Sequence, residues 1–281
     1  MSHHIHLAII DDHHIVPRMY RWLAQAHGWS IGEYVSPDAT LNYYGPYTAV
    51  SALRKRGHTK TAAWFTHYEE GNTGKINIWK QAANELTLRC YTSDVYAEHL
   101  RGYGVAAKIT PGIDHSLFQI SKRSKRGKLP RVGLVGVGQP RKGADLLAHL
   151  PAADLDIAIA GRGRWNGTMA TWVAYEEMPA FYNSLDVYLC TATIEGIPAP
   201  PLEALACGIK VVIPSGVGVM DELPEQAGIR HYEAGNGADL ARALTAVLDD
   251  AVTRQELADV VSGYTVDAWC TSTKEALEAM L

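Results

Sequence analysis

Residues 186–214 read DVYLCTATIEGIPAPPLEALACGIKVVIP. The apolar run at 186–190 predicts a buried strand, 200–206 predicts a helix that stops at Gly208, and 210–214 predicts a second strand. A strand, a helix and a further strand in succession favour a parallel pair with a right-handed crossover. Glycine and proline crowd the loop before the helix, where Glu195 stands. Ligands of such sheets bind at the carboxyl ends of the strands, so this loop is predicted to form part of a ligand-binding site.

The same alternation of strands and helices continues on both sides of this unit. It predicts an α/β protein with two doubly wound parallel-sheet, Rossmann-like domains. The predicted strands are 6–10, 31–34, 62–66, 86–91, 106–110, 131–137, 155–160, 186–190 and 210–214, and the predicted helices include 17–26, 47–56, 76–83, 93–100, 144–150, 178–184, 200–206 and 238–248. We expect one domain at 1–115, a basic linker at 116–130, a second domain at 131–264, and a last helical segment at 265–281.

Composition excludes several classes of protein. The chain has 281 residues, of which 47% are hydrophobic and 20% charged, and this is too apolar for a disordered chain. Its apolar runs are too short for a membrane-spanning helix, and its N-terminus lacks the pattern of a signal peptide. The four cysteines contain no CxxC pair, which argues against a structural zinc site or a disulfide framework. We therefore expect a cytoplasmic protein without a transmembrane segment.

Charge is unevenly distributed along the chain. Residues 115–131 hold six basic residues and no acidic one, although the net charge of the whole chain is -4. Such a basic linker suits a polyanion, either a nucleic acid or the anionic headgroups at a membrane periphery. It is equally compatible with a solvated linker that binds nothing.

The two glutamates of the opening stretch suggest the chemistry of a ligand. The start of a helix presents free N–H groups and partial positive charge, which suit a phosphate. An ionised carboxylate accepts several hydrogen bonds and therefore suits sugar hydroxyls. Glu195 before the helix and Glu203 within its first turns would both face a ligand held there. A phosphate beside sugar hydroxyls describes a nucleotide sugar.

The segment from Glu195 to Glu203 resembles the E-x7-E region of retaining glycosyltransferases of the GT-B fold, particularly glycosyltransferase family 4. Further segments resemble that family in the same order along the chain: 109–118, 132–147, 157–163 and 178–187. The resemblance implies two facing domains with the site in the cleft between them: an unusually short N-terminal acceptor domain at 1–115 and a C-terminal nucleotide-sugar domain at 131–264. It further implies that the helix at 265–281 packs back on the N-terminal domain. It also implies a hexosyl or other glycosyl transfer from a nucleotide-diphosphate sugar with retained configuration, without a metal or other cofactor. Among donors, a UDP-sugar is favoured.

Roles follow from the resemblance position by position. Lys142 matches the lysine that contacts the donor diphosphate, and Arg141 would share that charge. Glu203 matches the carboxylate that holds the ribose, and Glu195 matches the one that faces the donor sugar and takes part in catalysis. The remaining donor-binding positions are predicted to act through their backbone: Gly138, Gly161, Ile197 and Ala199. Val137 is a departure, because the family usually has an arginine there.

The N-terminal half is expected to hold the acceptor. His67 follows a predicted strand and is the candidate catalytic histidine, and His13 and His14 follow another strand on the acceptor side. A solvated loop histidine is the alternative for each of them. The histidines and aspartates between residues 3 and 14 show no metal-ligand spacing, so we predict no metal site.

The acceptor is not fixed by the sequence. The short N-terminal half favours a large acceptor bound across an open surface, such as a glycan, a lipid-linked acceptor or a nucleic acid. Two alternatives stay open: a glycosyltransferase that acts on modified DNA bases, and a non-catalytic module that binds nucleotide sugars.

Overall fold

The computed structural model describes the chain in two compact units. One comprises Met1–Gly112 with Val266–Leu281, and the other comprises Ile113–Thr265. The described residues are 4–9, 15–50, 60–122, 127–196 and 198–281.

The first unit is built on a six-stranded parallel sheet with the order β2-β1-β3-β4-β5-β6. Its strands are β1 Ile5–Ile9, β2 Ser30–Gly32, β3 Leu41–Gly45, β4 Thr61–Phe65, β5 Leu88–Tyr91 and β6 Ala106–Lys108. Its helices are α1 Ile15–His27, α2 Thr73–Glu85, α3 Asp94–Leu100 and, numbered last in the chain, α8 Val266–Glu278.

Helix α8 is anchored in the first unit by Trp269. The indole ring is fully buried, and its centroid lies 4.8 Å from that of Trp64 on β4. Its Nε1 donates a hydrogen bond of 3.3 Å to the carbonyl of Met19 on α1. Burial of the Trp269 ring, with its N–H hydrogen-bonded, stabilises the packing of this last helix on the unit formed by the first residues.

The second unit has a five-stranded parallel sheet with the order β13-β12-β11-β7-β8. Its strands are β7 Arg131–Val137, β8 Asp156–Arg162, β11 Val187–Leu189, β12 Lys210–Pro214 and β13 Ile229–Tyr232, and β9 Arg164–Trp165 and β10 Thr168–Met169 form a separate antiparallel hairpin. Its helices are α4 Met178–Asn183, α5 Ala199–Ala206, α6 Gly237–Asp249 and α7 Arg254–Val260, with 3₁₀ turns at Pro140–Lys142, Ala144–His149, Ala152–Asp154, Tyr175–Glu177 and Gly218–Glu222.

Both faces of this second sheet are covered. Along β12, Val211 and Ile213 pack into one hydrophobic cluster, together with Leu202 and Leu205 of α5. Val212 between them points to a different cluster, which contains residues of α6. Alternation of side chains between two apolar layers is what a buried parallel strand requires, and it explains why the strand sequences are nearly continuously apolar.

The two predicted parallel α/β sheets are present, but several elements differ from the sequence prediction. Strands β3 and β13 and the hairpin β9–β10 were not predicted. The segment 144–150, expected as an α-helix, is a 3₁₀ turn at Ala144–His149. Most of the helix predicted at 47–56 lies outside the described residues. In the part of the chain that is described, no helix is long and apolar enough to cross a membrane.

The carboxyl end of β8 depends on a glycine. Gly161 has a φ of +151°, and a Cβ there would lie 1.8 Å from the carbonyl oxygen of Gly136. We expect Gly161→Ala to lower the free energy of unfolding by at least about 2 kcal/mol, because it adds backbone strain and a collision between strands. Urea unfolding followed by circular dichroism measures this loss.

Gly167→Ala is the matched control. Gly167 also has a positive φ, +90°, but a Cβ there would meet no atom within 4 Å. It therefore carries the strain without the collision. Equal losses in the two variants would show that the close approach of β7 and β8 does not matter for stability.

Candidate functional site

The strand order of the second unit creates a switch point between β7 and β11. From β7 the chain first adds β8 on one side, and then continues to β11, β12 and β13 on the other side. In open parallel sheets the crevice at the carboxyl ends of two such strands is the usual place for a ligand. Here the segments that leave those ends are 138–143 and 190–198, which contain several residues predicted from the sequence.

Hydrogen bonds to backbone carbonyls hold these two segments together. The hydroxyl of Thr191 donates a hydrogen bond of 2.6 Å to the carbonyl of Lys142, and the N–H of Thr193 donates one of 3.0 Å to the carbonyl of Arg141. Gly143 follows with a φ of +64°, and a Cβ there would lie 2.1 Å from the Thr191 carbonyl oxygen. The turn that carries Lys142 is therefore fixed against the segment that carries Glu195.

Lys142 and Glu195 form an ion pair between Nζ and Oε1. Their side chains are only 19% and 16% exposed, although they are 53 residues apart in sequence. A pair so shielded from water is screened less than a surface pair. The structure thus brings together Lys142, which is predicted to bind the diphosphate, and Glu195, which is predicted to bind the sugar. It also shows that the two side chains pair with each other.

A small cavity of about 20 Å³ lies beside this ion pair. It is lined by Val135, Lys142, Trp165, Tyr188, Leu189, Cys190, Thr191, Ala192, Glu195, Pro198, Pro200 and Pro201. This space has room for one or two water molecules. Lys142 and Glu195 are the charged residues in its wall.

Sequence reasoning missed Trp165 as a residue of this wall. The ring is buried, and its Nε1 has no hydrogen-bond partner among the described residues. A Cβ on Gly136 would lie 3.7 Å from both Trp165 Cζ2 and Lys142 Cε, so the indole edge that carries Nε1 and the lysine chain converge. The turn Asn166-Gly167, a typical hairpin signal, could have located the hairpin that places this ring.

Glu203 is held differently from Glu195. It lies on α5, is only 6% exposed, and accepts a hydrogen bond of 2.8 Å from the hydroxyl of Tyr182 on α4. Burial, and secondarily the charge of Glu203, raise the pKa of Tyr182 well above its ordinary value, so the phenol stays a donor. Ala199, the first residue of α5, is one helical turn before Glu203 and so shares its face.

The other predicted donor-binding residues have varied surroundings. Arg141 is exposed beside Lys142. Gly138 donates a backbone hydrogen bond of 3.0 Å to the Arg162 carbonyl, and a Cβ there would lie 2.3 Å from the Arg164 carbonyl oxygen. Close packing of the backbone thus explains why glycine is needed at position 138, as at position 161. Contact of either glycine with a ligand stays a prediction. Ile197 lies outside the described residues.

His67 follows β4 in the first unit. Its Nδ1 lies 3.0 Å from the Thr66 hydroxyl, and its Nε2 lies 3.9 Å from a carboxylate oxygen of Glu69. Lys75 also pairs with Glu69 and, through their hydrogen bond, lowers the pKa of that carboxyl. His67 is thus fixed at one nitrogen and faces a carboxylate with the other. His13 and His14 lie outside the described residues.

The described residues offer neither a thiolate nucleophile nor a metal cluster at this site. All four cysteines are buried and free, and burial raises the pKa of Cys190, in the cavity wall, to about 12. Cys190 therefore stays a thiol near neutral pH. No group of three or more His, Cys, Asp or Glu side chains in the described ranges could hold a metal ion. Whether transfer is metal-independent stays a prediction.

Comparison with known proteins agrees with the fold. Residues 141–269 match a family described as glycosyl transferase-like. None of the curated proteins compared matches the chain.

Three solved structures illustrate the likeness. A glycosyltransferase from Rickettsia africae ESF-5 is 10% identical, with 100% of this chain and 99% of that chain covered and a TM-score of 0.75. Anabaena HepE in complex with UDP is 14% identical, with 98% and 100% covered and a TM-score of 0.75. Sucrose-phosphate synthase from Thermosynechococcus elongatus is 15% identical, with 94% and 78% covered and a TM-score of 0.72. The predicted α/β fold of GT-B type is thereby confirmed.

The hydrogen bond between Tyr182 and Glu203 can be tested through stability. Tyr182→Phe fills the same buried space but leaves the carboxylate with one donor fewer. We expect a loss of about 1.5–3 kcal/mol in the free energy of unfolding, the usual contribution of a hydrogen bond to a charged group. Urea titration followed by fluorescence measures it. Tyr34→Phe, at a tyrosine that is 68% exposed, is the control and should change nothing. Equal midpoints for the two variants would contradict the prediction.

Proposed function

We propose that this protein is a glycosyltransferase that takes a sugar from a nucleoside-diphosphate sugar. The observation that carries the proposal is the pairing of Lys142 with Glu195 at the switch point between β7 and β11. A cation and a carboxylate, the latter proposed to bind the sugar, stand at the place where this type of sheet binds ligands. The match of residues 141–269 to a glycosyl transferase-like family supports it, because that segment contains both residues.

The donor is proposed to be a UDP-sugar. Anabaena HepE, which shares the fold, has been solved with UDP and with UDP-glucose. In this protein Lys142 and Arg141 would neutralise the diphosphate. The N-terminus of α5 would add partial positive charge and the N–H of Ala199, while Pro198, Pro200 and Pro201 have no N–H to donate. Glu195 would accept hydrogen bonds from the sugar hydroxyls, and Glu203, oriented by Tyr182, from the ribose.

The reaction proposed is glycosyl transfer with retention, as in family 4. The bond between the anomeric carbon and the diphosphate oxygen breaks, and a bond from that carbon to an acceptor oxygen forms. Negative charge grows on the diphosphate as the bond breaks, so Lys142 stabilises the transition state more than the ground state. A released phosphate oxygen takes the proton of the acceptor hydroxyl. No metal is needed in this scheme, because lysine, arginine and the helix N-terminus supply the positive charge.

The acceptor side is proposed to be the first unit. His67 is its candidate catalytic residue, since Thr66 and Glu69 constrain its ring, and His13 and His14 are further candidates. An acceptor that is large or anionic, such as a glycan, a lipid-linked acceptor or a nucleic acid, is proposed because residues 115–131 hold six basic residues and no acidic one.

Donor binding and transfer can be tested on the whole chain. A panel of nucleotide sugars screened by thermal shift should show stabilisation by UDP-sugars, because a ligand of the folded state raises the melting temperature. Lys142→Met removes a charged hydrogen bond worth about 1.5–3 kcal/mol, so donor affinity should fall roughly ten- to hundredfold.

Glu278→Gln is the control for this test, because it changes the net charge at an exposed position of α8. It should leave donor affinity unchanged. Binding without any turnover in the presence of glycan, lipid or DNA acceptors would favour the non-catalytic module instead. Turnover that requires DNA would identify nucleic acid as the acceptor.

Retention can be tested without a known acceptor. Slow transfer to water from UDP-glucose should release the α-anomer first, and proton NMR of the anomeric signals distinguishes it from the β-anomer before mutarotation. The β-anomer as first product would show that the reaction inverts, and family 4 chemistry would then be excluded.

A further inference from the structure

The ion pair between Lys142 and Glu195 has a consequence for ligand selection at the proposed donor site. Each partner has its own proposed contact with a nucleotide sugar, Lys142 with the diphosphate and Glu195 with the sugar. In the structure the two side chains neutralise each other. A ligand therefore binds by replacing this ion pair with contacts of its own. Ligands differ in whether they offer a contact to Lys142 alone or to both Lys142 and Glu195.

A nucleoside diphosphate without a sugar replaces only one half. Its phosphates attract Lys142, but Glu195 then loses the lysine charge and faces a further anion. Because Glu195 is only 16% exposed, water compensates this loss poorly. An intact nucleotide sugar brings hydroxyl groups that donate to the carboxylate at the moment when Lys142 leaves it. Both halves of the pair are then replaced.

We propose that the Lys142–Glu195 ion pair makes the site prefer an intact nucleotide sugar to the nucleoside diphosphate that remains after transfer. This inference rests on the proposed function and adds a selection between donor and product to it. After the sugar has left, Glu195 competes with the diphosphate for Lys142. Re-formation of the ion pair thereby assists release of the nucleoside diphosphate.

Contacts between the two segments keep Glu195 within reach of Lys142 while a phosphate is bound. Hydrogen bonds from Thr191 and Thr193 to the carbonyls of Lys142 and Arg141 keep the two segments in contact. The ammonium group can therefore turn from Glu195 toward a phosphate without the segments separating. The carboxylate of Glu195 therefore stays close enough to compete with the phosphate for Lys142.

The test compares UDP with UDP-glucose by isothermal titration calorimetry. Glu195→Gln keeps the shape of the side chain but removes its charge, so Lys142 is released for the diphosphate. We expect UDP to bind this variant about two- to fivefold more tightly than it binds the wild type, the range expected for loss of a competing ion pair. UDP-glucose should bind no more tightly than before, because it loses the carboxylate that accepts from its hydroxyls. The preference for UDP-glucose over UDP should therefore shrink.

A double-mutant cycle separates the ion pair from a general effect of negative charge. In a Lys142→Met background, Glu195→Gln should no longer tighten the binding of UDP. If the tightening persists there, or if Glu278→Gln produces it too, the effect is long-range electrostatics and the proposal is overturned. If Glu195→Gln leaves UDP affinity unchanged while the wild type binds both ligands, the proposed function stands and this inference alone fails. A wild type that binds neither ligand would overturn the proposed UDP-sugar donor and, with it, this inference.

Discussion

The close approach of Gly143 to Thr191 is the constraint on which the candidate site depends. The absence of a side chain at Gly143 lets the turn after β7 lie directly on the segment after β11, where two hydrogen bonds hold it. Those segments leave neighbouring strands that diverge in their connections, so the sheet itself creates the crevice between them. Without this backbone contact, Lys142 and Glu195 would stand on two independent loops. With it, they form a shielded ion pair.

A second constraint comes from the opposite side of the same crevice. Gly161 lets the end of β8 lie directly on β7 at Gly136, and Gly138 lets the chain after β7 lie on Arg164 of the hairpin. That hairpin places Trp165 beside Lys142. The wall of the cavity is therefore formed by three segments that pack on one another: the turn after β7, the hairpin after β8 and the segment after β11. Glycines that resemble ligand-binding residues in the sequence act here first as the positions where one strand end meets another. The two roles are compatible, since a backbone without Cβ atoms is also open to a phosphate.

Much of the fold could be predicted from the sequence because strands such as 210–214 are apolar on both faces and glycines end the helices. Strand β3 escaped prediction because Leu41–Gly45 is short and contains a buried asparagine, Asn42, whose polarity is satisfied by Ser36. Motif resemblance identified Lys142, Glu195 and Glu203 as candidates. It could not show that Lys142 and Glu195 bind each other, or that Tyr182 holds Glu203, because both contacts are tertiary and join residues 53 and 21 positions apart.

Carboxylates near the proposed diphosphate site would repel a diphosphate, since like charges repel. The structure resolves this by giving each glutamate a partner of its own: Glu195 has the ammonium of Lys142, and Glu203 has the hydroxyl of Tyr182. The charge on Glu203 is thus stabilised in part by a neutral donor. The charge on Glu195 is stabilised by a cation that the proposed ligand also needs. Glu195 is therefore placed to compete with the diphosphate for Lys142, and hydrogen bonds from the sugar hydroxyls to Glu195 end that competition.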